Sequence, residues 1–311
     1  MKLKKQFNRI SISLLIATTL FGCVSEVDNR KKDDATQEET TKESKEQIEA
    51  RSEAKVDQIK KIFYSLPSPI ELTYLFKKEG INYQADKLHS IAARNNYNVT
   101  IKKALNLGVY GADLSYAGLF GNHEDAIEYY TTCQILAEDI GIGQTFQKEF
   151  ISRIESNADN RDTLLQVISD FFLDNDAYLK DHRQQHISTY ILIGGWIEGM
   201  YLGTQMEVKE SDSKGIRTII AGQKHSLISL LVLLNSIEDE ESLNVLRENM
   251  EDLTKLFDQI NYVKADENKQ KVEKKNGKIV LNTGESDTKI DDKTFEQIKN
   301  LVKEIRTSII S

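Results

Sequence analysis

Proline is almost missing from this chain: Pro67 and Pro69 stand together, and none follows them up to residue 311. With no proline to interrupt the intrahelical ladder, everything beyond that pair is open to long helices. Cysteine is as scarce. Cys23 and Cys133 are the only two, which excludes a disulfide framework and any paired Cys-x-x-Cys site, so stability has to come from a core. None of the five histidines has a glutamate three residues before it, and the nearest approach, Asp86 before His89, occurs once. That excludes a di-iron bundle built on Glu-x-x-His motifs. No Gly-x-Ser-x-Gly elbow, Walker loop or dinucleotide fingerprint is present. No catalytic, cofactor-binding or metal-ligating residue is therefore assigned by motif.

An excess of positive charge is lacking too. The formal net charge of -8 argues against nucleic acid as a partner, because phosphates would repel such a surface. Two patterns approach a metal site and stop short. His182 and His186 are spaced i to i+4, but Arg183 stands where the metalloprotease glutamate belongs and its charge opposes a cation. Asp174-Asn175-Asp176 begins like a calcium loop, with Leu179 in place of the turn glycine and Gln185 in place of the closing glutamate.

What the chain does have starts at its first residues. Lys2, Lys4, Lys5 and Arg9 precede an apolar run over 10–21, and Leu20-Phe21-Gly22-Cys23 forms a lipobox. The run is shorter than the ~20 residues a spanning helix needs, and the order of basic, apolar and cysteine segments is that of an export signal. We expect residues 1–22 to be a lipoprotein signal peptide and Cys23 to carry the lipid. Acyl chains contribute about 0.8 kcal/mol per buried methylene, so two or three hold a protein durably on a membrane. Removing residues 1–22, which carry four basic and no acidic side chains, takes the formal charge from -8 to -12. Residues 23–55 are charged and free of aromatic residues. They cannot bury enough surface to offset their ordering entropy, and we expect a flexible tether. The expected location is the cell envelope, lipid-anchored at the outer membrane, on a side the sequence leaves open.

Residues 56–311 read as one all-α globular domain, a multi-helix bundle with a small β-hairpin before its last helix. Ser68-Pro69-Ile70-Glu71 is a capping box with proline at the first helical position, and Gly80 is a terminator. Asn122 precedes Glu124 and Asp125 as a cap, and Gly141 closes the helix it opens. Apolar residues three and four apart predict further helices over 100–119, 146–154, 164–179, 186–206, 215–237, 241–263 and 293–310. Asn276-Gly277 amid strand-like residues predicts the hairpin, over about 272–281. A tetratricopeptide flavour around Leu107-Gly108 and Tyr116-Ala117 has no second copy at a period of about 34 residues, so no repeat array is expected.

Two stretches, 105–118 and 193–203, are crowded with glycine and aromatic residues. Each mid-helix glycine costs about 1 kcal/mol relative to alanine, so their number needs a packing reason. Gly195, Gly199 and Gly203 predict a groove into which a neighbouring helix backbone presses, a spacing shared with membrane helix dimers. The stretch 187–206 approaches membrane length, but Glu198 at its centre, with Ser188, Thr189 and Thr204, marks a buried core helix. Asp113 and Glu198 are the acids expected to be buried, and neither has a cation within helical reach. Each must find a partner or take up a proton. Two roles are open. One is a structural tie to a tyrosine hydroxyl, a helix end or a cation from another helix. The other is a ligand pocket lined by Asp113, Tyr116, Trp196, Glu198 and Tyr201. Cys133 shares a helical face with Tyr129 and Leu136 and reads as a buried small hydrophobe.

Tyr64-Ser65-Leu66-Pro67-Ser68-Pro69-Ile70-Glu71 and Lys103-Ala104-Leu105-Asn106-Leu107-Gly108-Val109-Tyr110-Gly111-Ala112-Asp113-Leu114-Ser115-Tyr116 resemble a family of uncharacterised helical lipoproteins of Bacteroidetes. The likeness is specific over residues 63–142. It implies envelope residence and an all-helical domain, and it carries over no catalytic residue. The leading expectation is a non-enzymatic binding or assembly component of the envelope. Its partners would be the membrane, through the N-terminal lipid, and an envelope protein, with no cofactor. A small-ligand binder with an interhelical pocket comes second. Third is a hydrolase in which His123, Asp113 or Glu198 lies beside a nucleophile.

Overall fold

In the computed structural model the described residues are 69–143, 184–206, 213–237, 241–262, 271–275, 278–282 and 290–311, with helical positions 152, 153, 156, 163, 166 and 170. The signal peptide, Cys23, the tether, Ser68, His182, the calcium-like loop, the Asn276-Gly277 turn and most of the helices expected over 146–154 and 164–179 lie outside them. Pro69 opens α1 (Pro69–Lys78), where its missing N–H forfeits no ladder bond, and Gly80 ends it at a φ of 88°. Next come α2 (Thr100–Leu119) and α3 (His123–Asp139). The Asn122 side chain accepts from the Asp125 N–H at 3.2 Å to start α3, Glu124 and Asp125 complement the helix dipole, and Gly141 closes the turn after it at a φ of 82°.

Beyond these lie α4 (Gln185–Gln205), α5 (Ser213–Gly222), α6 (Lys224–Asn235), α7 (Asn244–Asp258) and α8 (Asp292–Ile310). Asp291 caps α8 by accepting from the Thr294 N–H at 2.9 Å. Between α7 and α8, β1 (Lys271–Lys275) and β2 (Lys278–Asn282) pair antiparallel, with Lys271 opposite Asn282 and Lys275 opposite Lys278. The architecture is all-α: helices packed on helices.

The centre of the bundle is α2 against α4, with α3 on the far side of α2, α1 laid across both, and α8 packed on α4 and α2. Helices α6 and α7 continue the layer from α4 round to α8. Every residue of α2 from Ala104 to Leu119 is buried, which a helix with no polar face requires. At the crossing the two backbones touch. A Cβ at Gly108 would lie 2.0 Å from the Ile191 carbonyl oxygen, and one at Gly194 would lie 1.9 Å from that of Leu105.

Two expectations need correction here. The glycines that admit a neighbouring backbone are Gly108 and Gly194. Gly199 and Gly203 face side chains of α1, with Leu72 Cδ2 at 2.8 Å and Phe76 Cζ at 2.1 Å from their Cβ positions. Five residues turn a helix by about 140°, so Gly194 and Gly199 meet different neighbours. The helix expected over 215–237 is two, divided at Gln223, whose N–H bonds back only three residues to the Ile220 carbonyl at 3.0 Å.

Between α1 and α2 the chain follows neither helical nor strand periodicity. Residues 81–97 form a strap containing two short 3-10 turns, Ala85–Lys87 and Ile91–Asn96. Asn82, Ala85, Asp86, Ser90, Ala92, Asn95 and Asn96 are exposed, while Ile81, His89 and Tyr97 point inward.

Candidate functional site

A segment without a ladder of its own needs its buried polar groups satisfied by side chains. Helix α2 supplies most of them. The Tyr110 hydroxyl donates to the Ser90 carbonyl at 2.9 Å and that of Tyr116 to the Asn82 carbonyl at 2.7 Å, while the Gln84 N–H donates to the Tyr116 oxygen at 3.0 Å. Asp113 Oδ2 accepts from the His89 N–H at 3.0 Å. From α3, the Tyr129 hydroxyl donates to the His89 carbonyl at 3.0 Å, and Asp125 Oδ2 accepts from the Tyr83 hydroxyl. The tyrosines crowded into α2 and α3 are thus the fasteners of the strap.

Beneath it lies the most polar part of the core. Arg306, on α8, grips Glu198, on α4, as a fork: Nε to Oε2 at 2.6 Å and Nη2 to Oε1 at 2.8 Å. Bidentate, charge-assisted pairs of this kind are the strong ones. Asp113 and Glu198 are wholly buried and Arg306 is 8 % exposed. The guanidinium lies over the Tyr201 ring, 4.0 Å from its centroid, and reaches the Lys87 carbonyl of the strap at 3.4 Å. His89 stacks on Tyr110 with centroids 5.0 Å apart, and its Nε2 lies 2.6 Å from the Tyr97 hydroxyl.

Two acids and one cation leave a charge unmatched, and a proton resolves it. Asp113 Oδ1 is buried and has no donor to accept from. Its carboxyl is nevertheless within hydrogen-bonding reach of Glu198, which as the Arg306 partner is the ionised one. Two carboxyl groups bond only if one holds a proton. Burial, and next the Glu198 charge, push Asp113 well above the usual carboxylate range. Burial also pushes Glu198 up, opposed by the charge and fork of Arg306. For Arg306, burial works against the charge, but Glu198 more than offsets it and the guanidinium stays protonated. His89 is pulled down to about 4 by burial and by Arg306, so its imidazole is neutral.

Of the five side chains expected around a pocket, the structure brings three together: Asp113, Glu198 and Tyr201 meet at Arg306. Tyr116 and Trp196 serve elsewhere. Tyr116 is bonded to the strap, and the Trp196 Nε1–H donates to Gln223 Oε1 at 3.3 Å, holding the turn between α5 and α6. Trp196 and Glu198 are two residues apart, about 200° around the helix, so they cannot face one space. Arg306, His89 and Tyr97 were not singled out by sequence. Arg306 had a readable signal, since it follows Val302 by four on the buried stripe of Ile298, Val302, Ile305 and Ile309. A cation on such a stripe asks for a buried acid.

The remaining candidates are placed as follows. Cys133 is a free, buried thiol whose acidity is suppressed by burial and then by Asp113, the reverse of what a nucleophile needs. His186 is exposed, and His123 stands at the first position of α3 with Nδ1 buried and unbonded. Among the described residues no three His, Cys, Asp or Glu side chains are grouped to hold a metal ion. Comparisons of the chain with family models, curated proteins and solved structures returned no match.

Proposed function

We propose that this chain is a lipid-anchored lipoprotein of the cell envelope, related to the uncharacterised helical lipoproteins it resembles, and that it acts without catalysis as a binding or assembly component. The observation that carries this reading is the internal use of its polar core. Asp113, Glu198, Tyr116 and Trp196, the groups best suited to chemistry or ligand binding, are each bonded to another part of the same chain. Side chains committed to the fold are not free to turn over a substrate, and a pocket is left without Tyr116 and Trp196. Recognition then falls to the outer faces of the helices. Ile228 and Val232, one turn apart on α6, and Val245 on α7 keep apolar side chains in solvent at 39 %, 43 % and 60 % exposure.

The lipobox at Cys23 and the charged tether over 23–55 support a body held near a membrane yet free to meet a neighbour. The test is site-directed photocrosslinking in the native envelope, with the crosslinker at Ile228, at Val232 and at exposed Glu248 as a control. One discrete envelope protein, captured from 228 and 232 and not from 248, is the expected result. Equal, diffuse labelling from all three positions would count against a partner on this face.

A further inference from the structure

The strap over 81–97 is the one irregular cover on the acid cluster among the described residues. Its two turns are held by bonds three residues apart, such as Lys87 N–H to the Gln84 carbonyl and Ala93 N–H to the Ser90 carbonyl. The helices around it, α2, α4 and α8, are 20, 21 and 19 residues long and contribute most of their apolar side chains to one core. Whatever strains the cluster will therefore open the strap before it opens the bundle, since local opening follows the weakest cooperative unit.

We propose that a single proton shared between Asp113 and Glu198 completes the fastening of the strap begun by the tyrosines, and that loss of this proton loosens the strap while the helices stay packed. The balance is simple. With the proton in place, Asp113 Oδ1 donates to the Glu198 carboxylate, Glu198 accepts the Arg306 fork, and Asp113 Oδ2 holds the His89 N–H. One negative charge faces one positive charge. When hydroxide takes the proton, two carboxylates face one guanidinium in a water-free core, and the second charge has to be hydrated.

Among the described residues no other group facing Asp113 can supply a compensating charge. Helix α4 presents Glu198 and Tyr201, α8 presents Arg306, and α3 presents Tyr129 and the Cys133 thiol. The strap presents His89 and Tyr83, and α2 itself adds Tyr110 and Tyr116. Tyrosine and cysteine can only add negative charge, and His89 is kept neutral by burial and by Arg306. Water is the remaining remedy, and the exposed strap is where it enters.

Two measurements test this. Infrared spectra of the folded protein at neutral pH should contain the C=O stretch of a protonated carboxyl group, and the band should vanish as pH is raised. In step with it, hydrogen exchange corrected for its intrinsic pH dependence should accelerate at least tenfold over 81–97, with the α4 amides unchanged. In Asp113→Asn the amide can donate to Glu198 and accept from His89, so the band is lost and strap exchange becomes independent of pH. A folded wild type without the band overturns the proposal, and so does strap exchange that tracks α4 at every pH. If Asp113→Asn fails to fold, the wild-type band and exchange profile decide the matter alone.

Discussion

Arg306 reaches across 108 positions of sequence to hold Glu198, and the pair is more than a decoration of the core. Arg306→Leu would leave the Glu198 carboxylate buried without a counter-charge, a loss that runs to about 3–5 kcal/mol. The expected result is a large drop in urea midpoint, most of it restored when Glu198→Met is added. The titrating groups give a second prediction. Asp113 binds its proton more tightly in the folded chain. Its stabilisation is complete below the ordinary value of 3.8 and is lost as pH rises towards its raised folded value. His89 behaves oppositely: its folded value is about 4 against an ordinary 6.5, so its contribution is complete above 6.5 and lost as pH falls to about 4. The His89 slope is confined to the range between about 4 and 6.5, while above 9.0 the Cys133 thiol and the buried tyrosines, all raised by burial, add slopes of the same sign as that of Asp113. The wild type and Asp113→Asn share every slope but that of Asp113, so the wild-type urea midpoint should fall relative to the variant's as pH rises above 3.8. An equal decline in both would place the linkage elsewhere. The sequence announced that Asp113 and Glu198 lacked local cations. It did not announce each other as partners, because proximity between α2 and α4 is a property of the packed bundle.

At the scale of elements, the contrast between Gly194 and Gly199 is testable. A methyl group at 194 would strike backbone, the Leu105 carbonyl, which can move only if α2 and α4 separate; at 199 it would strike the terminal Cδ2 of Leu72, which can rotate away. Gly194→Ala should destabilise by at least the usual overpacking cost of about 1–3 kcal/mol, and Gly199→Ala by less. Melting temperatures of the two variants decide it, and an equal loss would refute the backbone contact. Gly199→Leu, too large for that rotation to absorb, should fall between them or below both. Helix positions were legible because caps and apolar spacing are local, as with Asn122, Gly141 and the run over Thr100–Leu119. The strap was not, since nothing within residues 81–97 sets its path. Tyr110, Asp113, Tyr116 and Tyr129 set it from other helices. The break at Gln223 escaped for the same reason, its side chain being held by Trp196 from α4.

For the molecule as a whole, the prediction concerns attachment. If Cys23 carries the lipid, Cys23→Ser should move the protein from the membrane fraction to the soluble one, with its helical circular dichroism retained. Unchanged fractionation would refute lipid anchoring. Length and hydropathy alone would also let Lys214–Asn235 cross a bilayer. Its inward face packs on α4 and α7, with Gln223 and Ser226 inside, which gives part of that apolar surface a use in the core. Helix α8 ends where α2 begins. Lys102 Nζ donates to the Ser308 carbonyl at 2.6 Å and to that of Ser311 at 3.2 Å, and Asn106 Nδ2 to that of Ile309 at 3.0 Å. These ties join residues more than 200 positions apart, and long-range closures are the slow steps of folding. The Glu198 carboxylate has its counter-charge only when α8 is docked, because Arg306 comes from that last helix. The order of synthesis therefore leaves the closing of the bundle to its last helix.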